Sequence, residues 1–135
     1  MDIFFEPVNV NQWNIFEKVK CMGHVEPFLA TKSMDVGDLV LLNIGCQNKK
    51  YESGIYAFGT IVKGPYILEN KPNDYCNNKN TCDVRIDFIS YDFPIISHAD
   101  SKKYIRQFRT PHRISEEHYP EIMSLLKKQS RISDI

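Results

Sequence analysis

Apolar positions along this chain follow two different periods, and the changes between them mark its elements. Ile3, Phe4 and Phe5 form a β-branched and aromatic run stopped by Pro7, which predicts a first strand. From Asn11 the spacing becomes helical. Ile15, Phe16, Val19 and Met22 share one face, Asn9 or Asn11 can cap the start, and Gly23 suits the stop. Trp13 lies near that face, where it fits a core position better than a binding role. His24 to Ser33 has no clear period, and Pro27 disfavours helix at Glu26, so the segment reads as a loop or a brief strand.

The stretch from Met34 to Gly64 organises the rest. A turn at Asp35-Val36-Gly37-Asp38 leads into Leu39-Val40-Leu41-Leu42-Asn43-Ile44, and after a polar loop the apolar pattern resumes from Gly54 to Val62. In strict alternation, Leu39, Leu41 and Asn43 oppose Val40, Leu42 and Ile44, while Tyr56, Phe58 and Thr60 oppose Ile55, Ala57, Gly59 and Ile61. Both faces of both strands are then mostly apolar, as for strands covered on two sides or curled into a barrel. Gly59 inside a strand predicts a bulge or a close backbone approach.

A polar run after Gly64-Pro65 reads as a long surface loop up to about Asn80. Cys82 to Tyr91 returns to period two, with Val84, Ile86 and Phe88 alternating with Arg85, Asp87 and Ile89. Ser97 can cap a short helix reaching about Tyr104, and a basic stretch from Ile105 to Arg113 carries Phe108 within it. The last helix has Ser115 as cap and Tyr119, Ile122, Met123 and Leu126 as its stripe, with a kink or a later start expected at Pro120. The fold class expected is α+β, a small, mixed, curved sheet flanked by helices, with residues 1–128 as one domain and 129–135 as a tail or a linker within a longer protein.

Composition narrows the classes. Seventeen basic residues balance seventeen acidic ones, so net charge selects no partner, and a nucleic-acid face would need its cations segregated. Cys21, Cys46, Cys76 and Cys82 have no zinc-binding spacing and read as reduced thiols of a cytoplasmic protein. The N-terminus lacks the basic and apolar regions of a signal peptide, and no apolar run approaches the roughly 18 residues of a membrane span. No nucleophile elbow, phosphate-cradling loop or metal-ligand pattern is present, and the four histidines have no ligand spacing, so no catalytic residue, metal or cofactor is assigned. Binding chemistry is better supplied. Phe28, Tyr51, Tyr56, Phe58, Tyr66 and Tyr75 cluster around the central pair, and Asn43 offers a donor and an acceptor at a strand end. A planar base held by aromatic faces needs these components, and Lys32, Lys49, Lys50, Arg106, Arg109 and Arg113 could meet phosphates around it. The competing reading is core aromatics and solvated lysines.

Val36-Gly37-Asp38 with its apolar strand, the loop closed by Ser53-Gly54-Ile55, the Asp83-Val84-Arg85-Ile86 strand and Pro94-Ile95-Ile96-Ser97 together resemble the EVE family of the PUA-like superfamily, related to YTH domains. The match extends from Ile3 to Leu126. The resemblance implies a curved, barrel-like sheet that binds a modified, typically methylated, base flipped out of DNA or RNA. It also implies an aromatic cage, and an association with restriction or RNA-modification systems through a fused or separate nuclease or NTPase. Carried over by position, Phe28 and Tyr75 would be cage aromatics, with Asn43 and Ser53 at the pocket mouth. A small-molecule, nucleotide or protein-interaction domain using the same pocket is the alternative.

Overall fold

Strand β3, Leu39–Ile44, is buried at all six positions and lies inside the sheet. The computed structural model describes residues 1–45, 48–71 and 76–133, excepting the side chains of 130–133. Before β3 come β1 (Ile3–Val8), a short helix α1 (Ile15–Lys18) and β2 (Val25–Leu29). After it come β4 (Gly54–Ile67), β5 (Asn80–Ile89), β6 (Ile96–Ser97), α2 (His98–Ser101), β7 (His112–Arg113) and α3 (Tyr119–Ser133). The seven-stranded sheet has the order β2-β5-β4-β3-β1-β7, with β6 paired to β4. Only β1 and β3 run parallel, and this path through the sheet is not closed. A mixed, largely antiparallel α+β architecture is therefore observed.

Both faces of the sheet are covered, as the apolar content of the central pair requires. One core gathers Val40, Leu42 and Ile44 with Phe4, Ile15, Phe28, Met34 and Tyr56. The other gathers Leu39 and Leu41 with Ile3, Phe5, Ile55, Ile96, Ile122 and Leu126, the last two supplied by the stripe of α3. Asp38, 6% exposed, ties the elements at their base: its Oδ1 accepts from the Asp2 amide and its Oδ2 from the Asp35 amide, both at 2.9 Å. The turn aspartate therefore has the structural role that its sequence position suggested.

Several sequence expectations change. Strict alternation fails in β4 because Leu42 pairs with Ala57 and Asn43 with Ile55, leaving Tyr56 as an extra residue. This bulge turns Tyr56 and Ala57 to the same core, while Ile55 and Phe58 face the other. A second bulge leaves Asp87 unpaired between Phe88 and Ile86, so Ile89 rather than Phe88 joins Val84 and Ile86. The first helix is one turn long and starts from Asn14, whose Oδ1 accepts from the Phe16 amide, instead of from Asn9 or Asn11; Met22 lies outside it and is exposed. Of the loop or brief strand expected around Pro27, the strand is observed, whereas β4 runs past Gly64-Pro65 to Ile67 into the stretch read as loop. A 3-10 turn at Glu116–His118 precedes α3, which places Pro120 in the first helical turn, where its missing amide costs nothing. The last helix continues to Ser133, so residues 129–133 are helical.

Gly59 makes the close approach that its position predicts. A Cβ there would overlap the Arg85 carbonyl oxygen and come within 2.6 Å of Val84 Cγ1. Since backbone cannot yield as a side chain does, Gly59→Ala should lower unfolding stability by about 2 kcal/mol or more, measured by urea denaturation.

Candidate functional site

The parallel pairing of β1 and β3 brings their carboxyl ends to the same edge of the sheet, and a cavity of about 450 Å³ opens there. Its floor comes from Pro7 and Val8 of β1, Leu29 of β2 and Asn43 with Gly45 at the end of β3. One wall is the turn carrying Asn9, Gln12 and Trp13, and the other is the loop Phe108, Arg109, Thr110 and Pro111. The reason for an opening here is topological. The pairing of β1 with β3 continues to Val8 whereas its pairing with β7 stops at Phe5, so the sheet has an open edge on one side of Pro7 and Val8.

Local chemistry shapes the first wall. Asn9 O accepts from the amides of Gln12 and Trp13, each at 3.0 Å, and Asn9 Oδ1 accepts from the Asn11 amide. This Asx-type turn swings Trp13 over the first core, where its ring meets Phe28 edge-on at 5.1 Å. In the second wall, Phe108 meets Phe5 edge-on at 5.4 Å and lies 4.7 Å from the His98 ring. Two aromatics thus border the cavity, one from each wall.

Asn43 is the polar group of the floor. It is 3% exposed, and its Oδ1 has no hydrogen-bond partner among the described residues. The neighbouring strand holds a second buried polar residue, Glu6, whose two carboxyl oxygens likewise have no partner. Burial drives the Glu6 pKa well above its ordinary value, while the backbone at Leu29 exerts a smaller opposing pull. The Cys82 thiol is pushed up to about 12, first by burial and then by proximity to Glu6.

Among the residues proposed from sequence, the cavity gathers Asn43 and Arg109. Phe28 is fully enclosed in the core and presents no face to a ligand, so its cage assignment is corrected: it supports Trp13 from behind. Ser53 precedes β4 and does not line the cavity. Tyr75 lies outside the described residues. Lys49 and Lys50 are exposed on a turn that approaches the first wall through a 3.2 Å bond from Asn48 Nδ2 to Asn11 Oδ1. Lys32 and Arg106 are exposed but line no part of the cavity. Arg113 lies 3.7 Å from carboxylates of both Asp2 and Glu116, so acids already neighbour it. Among the described residues, no group of three His, Cys, Asp or Glu side chains could hold a metal.

Sequence reasoning placed Trp13 with the core, and it does pack there against Phe28; that it also lines the cavity was not foreseen, because it stands beside an apolar helical stripe. The available signal was its setting in the polar run Asn9 to Asn14. Phe108 carried a clearer one, an aromatic among arginines.

No protein-family model matches the chain, and no curated protein matches it. Solved structures do share its fold. Rpa0253 from Rhodopseudomonas palustris, determined by NMR, is 13% identical with a TM-score of 0.61, over 93% of this chain and 92% of that one. The crystal structure of PSPTO5229 from Pseudomonas syringae is 15% identical with a TM-score of 0.59, over 91% and 98% respectively. At these identities the likeness is one of fold alone.

The buried groups set two expectations for stability. Phe28→Ala should cost about 3 to 5 kcal/mol in urea unfolding, the range for an enclosed aromatic. For Glu6, the folded chain binds the proton more tightly than the unfolded one. Its contribution is therefore complete below the ordinary value of 4.5 and is lost as pH rises through the higher folded value. Glu6→Gln should gain stability relative to the parent chain as pH increases from about 5 to about 8, measured as paired thermal midpoints.

Proposed function

We propose that this domain reads a modified, methylated base flipped out of DNA or RNA into the cavity bordered by Trp13 and Phe108. The observation that carries the reading is the buried, unpartnered Oδ1 of Asn43. Leaving such an acceptor unsatisfied costs about 1 to 3 kcal/mol, which an N–H on the edge of a base would recover. The cavity volume of about 450 Å³ suits a planar heterocycle, and stacking on aromatic side chains contributes about 1 to 3 kcal/mol per base. These gains offset the few kcal/mol that flipping costs. Arg109 on one wall and Lys49 and Lys50 beside the other provide cations for phosphates on both sides of the opening. The EVE resemblance and the PUA-like, barrel-like architecture it implies support the same assignment, as would a nuclease or NTPase acting with the domain.

A second reading, a free nucleotide or other small anionic ligand, is favoured by one fact: of the six cations proposed for phosphates, the cavity itself includes Arg109 alone. Salt dependence separates the two, since contacts to several phosphates make log Kd change steeply with log salt concentration.

Trp13 is the sole tryptophan, so its fluorescence reports on the cavity directly. An oligonucleotide carrying one modified base should bind more tightly than its unmodified twin, and Asn43→Ala or Phe108→Ala should weaken that binding about tenfold or more. Equal affinities across modified adenines and cytosines, in DNA and in RNA, would overturn the assignment.

A further inference from the structure

The second wall of the cavity has no regular structure, yet one side chain bonds most of it. Gln107 Oε1 accepts from the backbone amides of Arg109 at 2.6 Å and Thr110 at 3.0 Å. Its Nε2 donates to the Thr110 carbonyl oxygen at 3.3 Å and to Thr110 Oγ1 at 2.6 Å. Nε2 also lies 3.3 Å from His112 Nδ1, which is itself 3.0 Å from the Thr110 carbonyl. A single amide group therefore grips both backbone groups of Thr110 and the amide before it, and links them to the first residue of β7.

We infer that Gln107 is the positioning residue of the cavity's basic wall. The segment lies between α2 and the two-residue strand β7, so neither a helix nor a ladder fixes its backbone. The Gln107 carboxamide replaces them, acting as acceptor for two N–H groups and donor to a carbonyl, a pairing that few side chains can supply. Phe108 is braced independently by Phe5 and His98, which leaves Arg109 and Thr110 as the residues whose placement depends on Gln107. The Arg109 side chain is exposed, so its direction follows that of its main chain. Fixing that main chain before a ligand arrives removes ordering entropy from the binding step, so Gln107 raises affinity without touching the ligand. The effect on affinity rests on the base-reading assignment above, whereas the hold on the loop does not.

Amide hydrogen exchange at Arg109 and Thr110, read by NMR in the full chain, tests the hold. Gln107→Met keeps the volume and removes every hydrogen bond; it should speed exchange at both amides about tenfold or more while leaving the exchange of β3 amides unchanged. Gln107→Glu keeps an acceptor for both amides and should restore protection. The same variants are titrated with the modified-base oligonucleotide that binds the parent chain best. Weaker binding by Gln107→Met, with Asn43 intact, supports the positioning role. Unchanged exchange in Gln107→Met, or faster exchange with undiminished affinity, overturns it. If the parent chain binds no modified oligonucleotide while the exchange pattern holds, the base-reading assignment falls and Gln107 stands as the clamp of this loop.

Discussion

The fold depends on one strand that has water on neither side. With β3 buried at all six positions, the protein must supply an apolar layer above and another below, and the other elements are distributed to meet that demand. Ile15 of α1 and Phe28 of β2 join one layer, while α3 and Ile96 of β6 join the other. The one-turn helix α1 suffices because it adds only Ile15 and Phe16 to a layer the strands already supply. Most of the helical stability here comes from packing and little from length.

Three buried polar side chains near this central strand show three different outcomes of the same constraint. Asp38 has each carboxylate oxygen matched by a backbone amide. Glu6 has no such pair of amides, and burial raises its pKa toward the neutral form. Asn43 cannot titrate, so neither route is open to it, and its carboxamide oxygen stays unmatched at the floor of a cavity. A neutral group in that position responds to hydrogen-bond donors rather than to charge, which is the selectivity an uncharged heterocycle requires.

Much of the fold was legible because period-two and helical patterns are local. The central pair, its double-sided burial, the Gly59 approach, the Ser97 cap and the stripe of α3 all arise from spacing in the chain. What escaped was set by pairing. The bulges at Tyr56 and Asp87 exist only in relation to a neighbouring strand, and each reverses the side assigned to the residues beyond it. The site divides in the same way. Asn43 and Arg109 were found from residue type and position, whereas Trp13 was read as core because its turn is invisible to periodicity. Phe28 has the right chemistry for a cage, but burial depends on what covers β2, and that covering comes from distant segments.

The cavity also has a place in time. Its pieces lie at residues 7–13, 29, 43–45 and 108–111, so it joins the beginning of the chain to a loop near the end. Closing such distances comes late in folding, after the β3–β4–β5 meander, whose contacts are nearer in sequence, has formed. During synthesis the floor and the Trp13 wall emerge well before residues 108–111. The site therefore lacks its second wall until that loop arrives, and the wall that Gln107 holds is the piece that completes the cavity.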